Sequence, residues 1–132
     1  MKKKRIWLIA LIFYLIIIFF CGVLNRDSGT SNTVKLELFW GYDEQKDYLI
    51  NDKLINVASF IPIGVLAVLI FKKSRLLKTL IIGFFVSLAI ECSQLIWHRG
   101  VFDVDDLFNN TLGTLVGGLI MVIVVSKKQK YK

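Results

Sequence analysis

Glu91 lies inside an apolar run, six residues before that run ends at Trp97. A helix rises 1.5 Å per residue, so this carboxyl group sits about 9 Å below the end of its segment. An ionised carboxylate facing lipid at that depth costs several kcal/mol, so Glu91 must face protein or water, or carry a proton. Gln94 follows three positions later and shares its helical face, and Ser87, four positions back, extends the stripe. A second polar set comes next: His98 and Arg99 in a short turn, then Asp103-Val104-Asp105-Asp106, then Asn109, Asn110 and Thr111. Asp106, Asn110, Gly113 and Gly117 are spaced to share one face of a helix. Earlier in the chain, Asn56 and Ser59 open another apolar run.

These residue types have a definite chemistry. Glu91 or Asp106 is a candidate general base. Arg99 offers a planar fork to a carboxylate or a phosphate, and it is the natural partner for Glu91 or for the aspartates. Aspartate oxygens suit a hard divalent cation. The same residues also admit structural readings. Asp105 or Asp106 would cap a helix, a Glu91–Arg99 pair would fix helix register, and Gly113 and Gly117 would let two helices approach closely. No catalytic residue is assigned beyond these candidates. The sequence has no zinc-ligand spacing, phosphate-cradling glycine loop or Ser-His-Asp set, so no metal or cofactor is expected.

The elements that position these groups follow from composition. Apolar residues make up 55% of the 132, with a single proline. They fall in four runs, about 6–24, 54–71, 76–97 and 107–125, and a membrane-crossing helix needs about 17–25 such residues. Open strands cannot cross lipid with unpaired backbone groups, and four segments are too few for a barrel. The expected architecture is an all-α integral membrane four-helix bundle, a single domain over 1–132 with an external loop at 25–53. The first run is too long for a signal peptide's apolar region and reads as an uncleaved anchor. In the loop, Val34-Lys35-Leu36-Glu37-Leu38 alternates like a short strand. Phe39, Trp40 and Tyr42 should fold this segment back over the helix ends. Pro62 is expected to kink the second helix. Cys21 and Cys92 lie near the same helix ends, either as a disulfide or as two small apolar residues.

Charge sets the expected orientation. Lys2, Lys3, Lys4 and Arg5, then Lys72, Lys73, Arg75 and Lys78, then Lys127, Lys128, Lys130 and Lys132 account for twelve of the seventeen basic residues. Nine of the ten acidic residues lie in the other two loops. An even number of crossings puts all three basic regions on one side, which predicts cytoplasmic N- and C-termini. The net charge of +7 is therefore an orientation signal, and no nucleic-acid partner is expected.

With these residues in view, the chain resembles the VanZ-like membrane proteins. Asn56-Val57-Ala58-Ser59-Phe60-Ile61-Pro62-Ile63-Gly64 is similar to that family's N-x-x-x-F-I-P-x-G segment. Glu91-Cys92-Ser93-Gln94 resembles its E-x-x-Q. Arg99, the run from Phe102 to Asp106, and Asn110-Thr111-Leu112-Gly113 resemble its R…D-x-D-D…N-T-x-G signature. Leu38-Phe39-Trp40-Gly41-Tyr42 resembles its P-F-W-S-Y segment, with Leu38 in place of the usual proline and Lys35 where asparagine is common. The likeness covers roughly 34–120. It implies a protein of the bacterial cell envelope, in a family whose namesake is associated with low-level resistance to the glycopeptide teicoplanin.

The leading expectation is a non-catalytic envelope protein. Asn56, Glu91, Gln94, Arg99, Asp103, Asp105, Asp106, Asn110 and Thr111 would form a polar cluster at the outer leaflet. Its partners would be membrane lipids, a cell-wall precursor lipid or a glycopeptide drug. A second expectation is an intramembrane enzyme acting on a lipid-linked or phospholipid substrate, with Glu91 as base. A small transporter is a third, but the inner halves of the last three helices are almost wholly apolar apart from Ser74 and Thr79.

Overall fold

The computed structural model describes residues 2–24, 33–39, 47–71 and 75–130. Trp40 and Tyr42 of the aromatic segment lie outside the described residues, as do Lys72, Lys73 and Lys132. The chain forms α1 (Lys2–Phe19), which widens into one turn of π-helix at Phe20–Leu24, then β1 (Val34–Lys35) and α2 (Asp47–Ile70). α3 (Arg75–Ile96), β2 (Phe102–Asp103) and α4 (Val104–Lys130) complete it. All four long helices are apolar enough to cross a bilayer, and they pack as a bundle. Helices are the expected result for such runs, because each pairs its backbone groups within itself.

α2 differs from the sequence expectation. It begins at Asp47, not near residue 54, so its first seven residues come from the stretch expected to be loop. Asp47, Asn51, Asp52 and Lys53 are excluded from hydrocarbon, but a helix does not have to stop where the hydrocarbon does. α4 likewise runs past both ends of its apolar stretch.

α2 and α4 make the closest contact in the bundle. A Cβ added to Gly113 would strike the Val57 carbonyl, and one on Gly117 would strike the Ile61 carbonyl. In return, a Cβ on Gly64 would meet the Thr114 carbonyl and the Gly118 amide nitrogen. The two backbones therefore touch along a seam of small residues, which drives helix association where lipid is as apolar as any side chain. Gly113 and Gly117 thus pack as expected. Leu11, Val23, Phe60, Ile63, Ile70 and Ile90 form an apolar cluster beside this seam. α1 is the least covered helix, with Ile9, Phe13 and Ile16 exposed along its outward face. α2 continues through Pro62, and the Tyr14 hydroxyl donates to the Ser59 carbonyl at 2.9 Å, three residues before that proline.

The expected strand is present and short. Val34 and Lys35 pair in parallel with Phe102 and Asp103, and the Phe102 N–H donates to the Thr33 carbonyl at 3.1 Å. This lays the first loop across the start of α4. Phe39 then packs edge-on against Phe108, with ring centroids 5.7 Å apart.

Candidate functional site

The polar end of the bundle is made by the C-termini of α1 and α3 and the N-termini of α2 and α4. Each terminus leaves backbone groups that need partners. α3 closes with a Schellman turn: the His98 N–H donates to the Leu95 carbonyl at 3.3 Å and the Arg99 N–H to the Gln94 carbonyl at 2.9 Å. His98 takes the left-handed position of that turn, with φ 53° where glycine is usual, so it contributes through its backbone. α4 opens on Asp103, whose Oδ1 accepts from the Asp105 N–H at 2.8 Å. Asp103 is therefore the N-cap, in place of Asp105 or Asp106. The second and third aspartates are left for other partners.

The main partner is Lys53. Its Nζ lies 2.9 Å from Asp103 Oδ2, 2.8 Å from Asp106 Oδ1 and 3.9 Å from Asp105 Oδ2. Lys53 is only 3% exposed, on the second turn of α2. Its ammonium thus holds the start of α4 against the start of α2, above the glycine seam. Asp105 also accepts from the Phe39 N–H through Oδ1, which fastens the first loop to the same group. Phe39 adopts φ 66° there, a left-handed conformation uncommon for a bulky residue.

Glu91 faces the protein interior, as its depth required, and is 1% exposed. Its Oε2 accepts from the Asp103 N–H at 3.0 Å, so the carboxylate also ties α3 to the start of α4. The Ser87–Glu91–Gln94 stripe is buried along its whole length. Gln94 Nε2 donates to the Gly22 carbonyl at 2.8 Å, in the π turn that ends α1. Asn110 Nδ2 donates to Ser87 Oγ at 2.9 Å. Asn109 Nδ2 and Thr111 Oγ1 donate back to carbonyls of α4, those of Asp105 and Leu107.

Between these groups lies a cavity of about 180 Å³. Asn56, Glu91, Gln94, Asp106 and Asn110 line it together with Ser59 and Gly22, and Ile18, Ile55, Phe60 and Ile90 supply apolar wall. Five of the residues expected to cluster are therefore brought to one space. Asp103 and Asp105 stand beside it in the ion network, and Thr111 turns to its own helix. Arg99 Nη1 donates to the Leu24 carbonyl at 2.8 Å, which pins the end of α1, and Lys53 is a cation that meets the aspartates. Cys21 and Cys92 are free thiols, and Cys21 borders the cavity.

Lys53 is the site residue that the sequence reading missed. Phe60, Ile63 and Ala67 mark the buried face of α2, and stepping back along that face by helical spacing through Asn56 arrives at Lys53. A family model described as VanZ/LLP1 matches residues 6–125 of the chain. No curated protein and no solved structure matches it.

Proposed function

Because the chain belongs to the VanZ/LLP1 family, we infer that it is a multi-pass protein of the bacterial cell membrane whose polar cavity binds a lipid headgroup at the outer leaflet. By holding that headgroup it changes how a teicoplanin-type glycopeptide reaches its target at the cell surface. Both termini lie in the cytoplasm in this reading, since twelve of the seventeen basic residues fall in the two tails and the turn between α2 and α3, at the end of the bundle away from the cavity. The observation that carries the inference is the cavity itself. Three helices and the π turn bring Asn56, Glu91, Gln94, Asp106 and Asn110 to one space at a depth where polar groups are expensive to keep without a use.

The test is a resistance assay in a glycopeptide-susceptible host. Expression of the chain should raise the teicoplanin concentration needed to stop growth. Glu91→Gln at equal protein level should return it towards the host's own value. Unchanged sensitivity on expression of the wild-type chain would refute the resistance role.

A further inference from the structure

We propose that the cavity takes a vicinal diol, carried either on a lipid headgroup or on a small free polyol, and that Asn56 and Ser59 hold it. This rests on the headgroup-binding reading above and names the chemistry of the ligand. The first support is which wall groups the protein itself uses. Glu91 accepts from the Asp103 N–H, and the Lys53 ammonium meets Asp106. Gln94 and Asn110 direct their amide nitrogens to the Gly22 carbonyl and the Ser87 hydroxyl. Asn56 and Ser59 differ from these four. Both line the cavity and are half-buried, and among the described residues neither side chain has a hydrogen-bond partner. Ser59 meets Tyr14 through its backbone carbonyl, which leaves its hydroxyl for the cavity. Three positions apart on α2, the two residues present an amide and a hydroxyl side by side.

The second support is the match of donors and acceptors. An amide and a hydroxyl each donate and accept. Hydroxyls on neighbouring carbons also do both, so a diol gives each wall group a partner in either sense. An ammonium only donates, and it would leave the Asn56 N–H groups unmet. The third support is charge. Among the described residues that line the cavity there is no Lys, Arg or His, while Glu91 and Asp106 both border it. An anion inside would meet repulsion with no cation on the wall to offset it. The two carboxylates already have protein partners, so the space suits an uncharged group. The phosphate of a diol-bearing lipid stays at the mouth. The last support is fit. Ile18, Ile55 and Phe60 offer apolar wall to the carbons between the hydroxyls. A cavity of about 180 Å³ admits the end of a headgroup and excludes a whole glycopeptide.

Thermal unfolding of the purified chain in a polyoxyethylene detergent, which carries no diol, tests this. The ligands are dihexanoyl phosphatidylglycerol, the corresponding phosphatidylpropanol and phosphatidylcholine, and free glycerol. The propanol lipid has the charge and carbon count of the glycerol lipid but no headgroup hydroxyl. A ligand that binds only the folded form raises the midpoint by mass action. The glycerol lipid should raise it by several degrees, and the propanol and choline lipids should not. Asn56→Ala should weaken the affinity for the glycerol lipid at least tenfold, read from the lipid concentration that gives an equal shift. Free glycerol also stabilises proteins by exclusion from their surface, and its effect on the variant measures that contribution. A larger glycerol shift in the wild type than in the variant identifies a free polyol as sufficient. Equal glycerol shifts, with the lipid response confined to the wild type, identify the lipid as the source. The wild-type comparison of the glycerol and propanol lipids decides the matter even if the variant does not fold. Equal shifts with those two lipids, or parent-like affinity in Asn56→Ala, would overturn the proposal. A shift with the choline lipid alone would overturn the diol and leave headgroup binding standing, whereas no shift with any of the four would overturn both.

Discussion

At Lys53 a single ammonium draws three aspartates together. Its removal takes that attraction away and brings their mutual repulsion to the fore, around a side chain that is 4% exposed. Breaking a buried ion pair from one side costs roughly 3–5 kcal/mol. Lys53→Met should therefore lower the unfolding midpoint in a detergent-denaturation series by an amount of that order. Adding Asp106→Asn to the same chain should recover part of the loss, because one repelling charge is gone. A Lys53→Met protein as stable as the parent would show that the network contributes nothing. Glu91 was legible from sequence, since a charge inside an apolar run admits few readings and its stripe with Ser87 and Gln94 follows helical spacing. Lys53 was not, because it stands where charge is ordinary, just before an apolar run begins, and its partners are 50 and 53 positions away.

At the scale of the elements, the seam between α2 and α4 tolerates no added bulk. Gly117→Val must push α4 off the Ile61 carbonyl, and overpacking of this kind costs about 1–3 kcal/mol. Gly22→Ala is the contrast: its Cβ would meet only Ile90 Cγ2 at 3.6 Å, an ordinary contact. The first variant should unfold clearly earlier than the parent and the second close to it, measured side by side. The same elements show what a sequence can and cannot disclose. The four helices were legible because lipid allows little else, and β1 because Val34 and Lys35 begin an alternating run. The start of α2 was not, since apolar content marks the edge of the hydrocarbon and the helix ends elsewhere. The contact of Arg99 with the Leu24 carbonyl at the end of α1 was not legible either, since 75 positions separate the two residues.

For the molecule as a whole, charge and packing point the same way. Twelve of the seventeen basic residues fall in the two tails and the turn between α2 and α3, at the end away from the cavity, so in the proposed orientation a reporter fused to the C-terminus should behave as cytoplasmic. Green fluorescent protein there should fluoresce, and alkaline phosphatase should stay inactive; an active phosphatase would reverse the assignment. The ion network also bears on the order of events in biosynthesis. A chain emerges from the ribosome N-terminal end first, at about 5–20 residues per second. Lys53 thus reaches the bilayer some seconds before Asp103 and Asp106 have been made, and its flexible stem lets the ammonium wait at the level of the headgroups. The last helix to enter brings the anions that draw this cation inward, so a nascent chain released before residue 103 would hold three helices without the group that locks them.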